Sequence, residues 1–206
     1  MKAKQVRAEH EKLKTFWEQE GKRMRKTLGT PQLTRLHDSN APGIDIRHLH
    51  NRFGWQAGGG VHCAGTLYRT ENFIRIADEK RCGNKKGQTI HLEHTVPIAT
   101  LALEIKNISK VTPYETLMWV LEHSVITAAT HEERQTIVRS GQHRSSNVFT
   151  KDGDRGYPFR RYCSDRHLLI WDVVNCRLVD REAFTFDCHR QNIAAVLGWA
   201  GIKNWK

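Results

Sequence analysis

The chain has no apolar run approaching the ~18 to 20 residues that a membrane-crossing helix needs, so a helical membrane protein is excluded. Its start, MKAKQVRAEHEKLK, lacks the apolar stretch of a secretory signal, which points to a cytoplasmic protein. Cysteine is sparse and widely spaced: Cys63, Cys82, Cys163, Cys176 and Cys188 include no C-x-x-C pair, so neither a disulfide framework nor a zinc ribbon is indicated. No Lys-Ser/Thr follows Gly58-Gly59-Gly60, which removes a phosphate-cradling nucleotide loop. A nucleophilic-serine elbow and an H-E-x-x-H zinc-protease helix are also missing. His91-Leu-Glu93 has the His-x-Glu of zinc nucleobase deaminases, but no Pro-Cys-x-x-Cys accompanies it, so that class falls away. There is no internal repeat and no strong linker.

What the chain does have is positive charge. Its 206 residues carry 33 Lys/Arg against 22 Asp/Glu, a formal net charge of +11. Clustered cations gain from releasing the counterions condensed on a polyanion, so nucleic acid is the first partner to consider. The hydrophobic share of 38% and charged share of 27% are those of a globular chain. Residues 1–35 hold ten Lys/Arg and four Glu, a net +6 of the total. There Leu13, Phe16, Trp17, Met24 and Leu28 recur at helical spacing, which predicts a helix over 4–28 ended by Gly29 and Pro31. Residues 1–30 read either as a basic helical arm that tracks phosphates or as a solvated amphipathic helix.

Beyond it, 30–65 reads as loop, with Asn40-Ala-Pro-Gly43 as a turn. The run at Phe73, Ile74 and Ile76 is ambiguous between strand and helix. Ile90 and Leu92 alternate with His91 and Glu93, predicting a strand that Pro97 ends. Ile98 to Ile108 suits a helix or a strand face. Thr112-Pro-Tyr-Glu115 and Thr130-His-Glu-Glu133 are capping boxes, predicting helices to about His123 and Gly141. Between them Ser124 to Ala129 reads as a buried strand or a short connection. Residues 144–161 read as a long surface loop. Two strands, 167–174 and 177–180, then lead to a helix capped by Asp187 and running to Leu197. The expected fold is α+β: a single mixed domain over 31–206 with a short sheet and several helices.

The densest chemistry is His91-Leu-Glu93-His94-Thr-Val-Pro97. A carboxylate and histidines at a strand end are what metal-assisted phosphodiester hydrolysis uses: the acid helps hold a cation, and a neutral imidazole takes the proton from the attacking water. On a regular strand His91 and Glu93 share one face and His94 points to the other. Glu93-His94-x-x-Pro97 resembles the acid, histidine, two residues, proline signature of HNH (His-Me finger) endonucleases. The resemblance implies a ββα element around one divalent metal, Mg²⁺ or similar. It implies His94 as general base, Glu93 as metal ligand or orienting residue, and His91 as a further ligand. The family's loop asparagine would be Asn107, and its helical His/Asn would be His123 or His131.

Leu103-Glu104-Ile-Lys106 supports another reading. With Glu93 it resembles the two-carboxylate-plus-lysine core of PD-(D/E)XK nucleases, which would make Glu104 and Lys106 catalytic if the segment were a strand. For binding, Tyr157-Pro-Phe-Arg160-Arg161-Tyr162 interleaves aromatics with arginines that suit phosphates and bases. Arg155, Arg160 and Arg161, with Lys85 and Lys86 just before the catalytic strand, are the candidate contacts. The alternative is a loop pinned by Phe159 and Tyr162 with its arginines in solvent. The expected function is a divalent-metal-dependent DNA endonuclease of the restriction or phage-defence kind, acting on double-stranded DNA and plausibly as a homodimer. A non-catalytic nucleic-acid-binding protein is the competing class.

Overall fold

A computed structural model describes residues 3–27, 36, 38–58, 60–84, 86–108, 112–139, 156–163 and 165–202. Its centre is a five-stranded mixed sheet of order β2-β3-β1-β4-β5, formed by β1 (Tyr68–Thr70), β2 (Ile90–His94), β3 (Ile126–Thr130), β4 (Ile170–Asp172) and β5 (Arg177–Leu178). β1 pairs parallel with β3 and antiparallel with β4, and β2 pairs antiparallel with β3 in unbroken register, His91 opposite Ala129 and His94 opposite Ile126. β3 is wholly buried, as the apolar run before Thr130 suggests. β2 is an edge strand, so one side of it is open.

Seven α-helices surround the sheet among the described residues: α1 (Ala3–Thr27), α2 (Pro42–Arg52), α3 (Glu71–Arg75), α4 (Ile98–Ile105), α5 (Pro113–His123), α6 (His131–Arg139) and α7 (Phe186–Trp199). The fold is α+β, as the sequence indicates. Both capping boxes form. Thr112 accepts from the Glu115 amide while the Glu115 carboxylate takes the Thr112 amide, and Thr130 and Glu133 do the same at α6.

Four local readings are corrected. The turn at Pro42-Gly43 opens α2, because proline in the first helical turn lacks only an amide that the helix leaves unbonded anyway. The ambiguous run after Thr70 is a short helix, α3, capped by the Thr70 hydroxyl. The cap of the last helix is Thr185, whose hydroxyl accepts from the Cys188 amide, not Asp187. The strand expected over 167–174 is confined to 170–172, since 173–176 turns back to start β5.

The basic first helix is not a free arm. Val6, Leu13 and Trp17 are fully buried, and α1 packs against α2, α3 and α7. Gly21 permits the crossing: a Cβ there would lie 2.1 Å from the Ala200 carbonyl oxygen. Glu9 carries the helix inward. Its carboxylate meets Arg69 and Arg81, the latter at 3.0 Å, with Lys12 at 2.8 Å on the outer side. Burial alone would raise the Glu9 pKa, but the two guanidiniums and the ammonium outweigh it and hold the group at about 2. Of the two sequence readings of residues 1–30, the amphipathic helix is the one whose other face packs as core. No helix among the described residues is long and apolar enough to cross a membrane.

Candidate active site

His94 ends β2 and faces α2. Its imidazole stacks on that of His50, with ring centres 5.4 Å apart and planes 29° apart. His50 is buried, and its Nε2 lies 2.9 Å from the Ser124 hydroxyl oxygen. Both Nδ1 atoms are buried without a hydrogen-bond partner among the described residues. His94 thus packs on a second imidazole that a hydroxyl holds in turn, where the sequence offered only Glu93 to orient it. Burial, then the positive charge of Arg47, holds the His94 pKa down at about 4. The ring is neutral at pH 7, the form a general base needs. Burial likewise pushes His50 well below the ordinary imidazole value.

Glu93 leaves the opposite face of the strand, as regular alternation requires. It is 9% exposed. Its Oε1 accepts from the Tyr162 hydroxyl at 3.1 Å and from Arg161 Nη2 at 3.3 Å, while His91 Nε2 stands 3.7 Å from Oε2. Burial would raise its pKa, but His91, Arg161 and Tyr162 overcome that and hold it below the ordinary carboxylate value. Arg161 is itself buried, and its Nη1 donates to the carbonyls of Thr95 at 3.0 Å and His94 at 3.4 Å. One guanidinium therefore fixes the carboxylate before His94 and the backbone that carries it.

A cleft of 790 Å³ opens at this strand edge, lined by His91, Glu93 and His94 from β2, by Pro97 to Ala99 leading into α4, by Gly43, Ile44 and Arg47 from α2, and by Arg134 and Val138 from α6. Arg47 and Arg134 are exposed at its mouth. Gly43 lets α2 lie close on α4, for a Cβ there would sit 3.2 Å from Ile98 Cγ2. The site thus joins three segments far apart in sequence. It contains two cations, two neutral-capable imidazoles and one carboxylate already engaged.

The residues placed here offer Mg²⁺ few of the ligands it takes. Mg²⁺ wants oxygen ligands in an open octahedral set. The one carboxylate here spends an oxygen on Arg161 and Tyr162, and the other charged groups around the cleft are guanidiniums. Among the described residues no group of three or more His, Cys, Asp and Glu is placed to hold a metal ion.

The structure sorts the other candidates. Glu104 lies in helix α4 and lines a different cleft, and Lys106 is exposed in the turn after it. The acid-x-Lys segment is helical and does not meet Glu93, so the two-carboxylate core is not assembled. Asn107 and His123 border that same other cleft, and His131 starts α6 at the far end of β2, its amide bonded to the Thr89 carbonyl. None of the three joins His94. Of the supposed phosphate-gripping arginines, Arg161 is interior and Arg160 is exposed over the Tyr157 ring at 5.5 Å. Phe159 and Tyr162 pin the segment, as one reading held, but only one of its two arginines reaches solvent. Lys86 is exposed in the turn before β2; Lys85 and Arg155 lie outside the described residues, as does most of the loop expected over 144–161.

Sequence reasoning missed Arg47, Arg134 and His50. Pro42 in a first helical turn was the available signal for α2, and hence for Arg47 and His50 one helix face apart. Nothing local marks Arg134. No family model, no curated protein and no solved structure matches the chain.

Proposed function

We propose that the chain is a phosphodiesterase acting on nucleic acid, an endonuclease with DNA as its expected substrate, in which His94 is the general base. The observation that carries this reading is the neutral His94, stacked on His50, in a cleft whose mouth holds Arg47 and Arg134. A phosphodiester seated between the two guanidiniums would present its phosphorus to a water beside His94. The negative charge would also offset Arg47, which helps depress the His94 pKa, so the base would strengthen as substrate arrives. Glu93, Arg161 and Tyr162 are positioning residues in this scheme. The antiparallel pair β2 and β3, followed directly by α6 packed on both, has the ββα order that the Glu-His-x-x-Pro resemblance implies, with α4 and α5 inserted between the strands. It departs from that family in offering Arg134 where the helix would supply a metal-binding His or Asn.

The test is plasmid nicking by wild type and His94→Ala, with and without EDTA. His94→Ala should lose cleavage by at least about 100-fold while keeping its circular dichroism and its DNA affinity. Undiminished nicking by that variant would sink the assignment, and binding without strand breaks under every condition would select a non-catalytic binding protein. Cleavage that survives EDTA is what the donor set predicts. Cleavage abolished by EDTA and restored by Mg²⁺ would return the metal-dependent scheme.

A further inference from the structure

A second cleft, of 610 Å³, lies on the other side of the first turn of α4. Pro97, Ile98 and Ala99 border the His94 cleft, while Val96, Thr100 and Glu104 border this one. One wall is a run of aromatic rings. Trp119 and His123 are stacked, with centres 4.6 Å apart and planes 17° apart, and Phe186 continues the run 6.1 Å from His123. The His123 ring is held by its Nδ1, which donates to the Trp119 carbonyl at 2.8 Å. Glu104 and Asn107 line the same cleft and bring a carboxylate and a carboxamide to its border.

We infer that this cleft is a nucleobase site, with the base stacked on the aromatic wall and read at its edge by Glu104 and Asn107. Flat aromatic faces accept any base, and stacking of this kind contributes about 1 to 3 kcal/mol per base. Carboxamide and carboxylate groups match the donor and acceptor edges that bases present. The volume lies in the range of small-ligand pockets. A base can come from a free nucleotide or from a strand with one residue unstacked, and the site's chemistry is the same for both. Occupation needs nothing from His94, so the site stands or falls separately from the cleavage scheme.

The experiment is calorimetric titration of the His94→Ala full chain, which cannot consume its ligand, with four mononucleotides, a short single-stranded oligonucleotide, and that oligonucleotide with abasic positions throughout. Trp119→Ala should weaken base binding about 10-fold or more, and Glu104→Gln and Asn107→Ala a few-fold each. The last two alter a helix flank and an exposed turn, so they keep the test valid if Trp119→Ala does not fold. Saturable mononucleotide binding that these variants weaken identifies a free-nucleotide site. Binding of the oligonucleotide alone, lost with its bases, identifies an unstacked strand base. Binding that ignores all three variants, equal affinity for the abasic strand, or no binding of any probe overturns the inference, whatever His94 proves to do.

Discussion

Two buried carboxylates in this molecule are each held by arginine, and they do different work. Glu9 sits between Arg69 and Arg81 under α1, with Phe73 stacked against Arg81 at 4.4 Å. Glu93 sits between Arg161 and Tyr162 on an edge strand, one residue before a histidine that opens on a cleft. The first closes the N-terminal helix onto the sheet, and the second fixes the strand end that presents His94. An arginine-bound carboxylate is by itself a structural device. What separates the two is the neighbour, a neutral imidazole between exposed cations.

The largest effect expected from breaking this comparison is at Glu9. Glu9→Ala would leave two guanidiniums facing each other in the interior, at a cost of about 3 to 5 kcal/mol. A urea unfolding midpoint little changed from wild type would show that the cluster is not closed. Acid should reveal the next effect. His50, His94 and His189 all have folded pKa values below the ordinary 6.5, the last two at about 4. His189 is buried between the Tyr68 hydroxyl and the Leu121 carbonyl, as His50 is against Ser124. The unfolded chain therefore binds more protons between pH 6.5 and 4, and stability falls as pH drops through that window while staying level above it. The Glu9 contribution is present above pH 4.5 and lost only as pH falls towards 2, so the histidines give way first. A urea midpoint that stays flat from pH 7 to 5 would contradict this burial.

Glu93→Gln should cost less than Glu9→Ala, about 2 kcal/mol, because Arg161 keeps its two carbonyl acceptors and the amide oxygen still accepts from Tyr162. On the proposed scheme it should also lower kcat more than it raises KM, since it loosens the strand end without touching substrate. The same substitution with full kcat would place Glu93 with Glu9, as fold and nothing more.

How much of this was legible follows from the range of the signals. Both capping boxes and the strand around Ile90 and Leu92 are written in local pattern and are present, and of the two readings of 124–129 the buried strand is the one found. Glu93 and His94 were found because both stand in one short motif. His50, Arg47 and Arg134 come from helices about 40 residues away on either side, and what places them is the crossing of α2 over α4 and the return of α6 along β3. The pairing of Arg161 with Glu93 spans 68 residues and reverses the natural reading of an arginine beside aromatics, which looks like a surface contact until the partner carboxylate is seen. In α1 the apolar spacing of Leu13 and Trp17 marked the buried face, while composition, which counts cations, gave no sign that Glu9 is bound inside.

The smallest effect on stability, and the sharpest for function, should come from Arg47→Ala and Arg134→Ala. Both side chains are exposed, so each change should alter stability by no more than about 0.5 kcal/mol. If the two guanidiniums hold phosphate, each loss should weaken DNA binding across all sequences and lower the slope of log affinity against log salt by about 1. Lys86→Ala, at an exposed turn outside the cleft, supplies the control. Equal slopes for wild type and both arginine variants would mean that phosphate does not enter the cleft, and His94 would lose its substrate while keeping its place in the fold. A slope reduced at Arg47 and Arg134 with cleavage lost in step would tie the cations to the base they flank. That is the property Glu93 has by position and Glu9 does not.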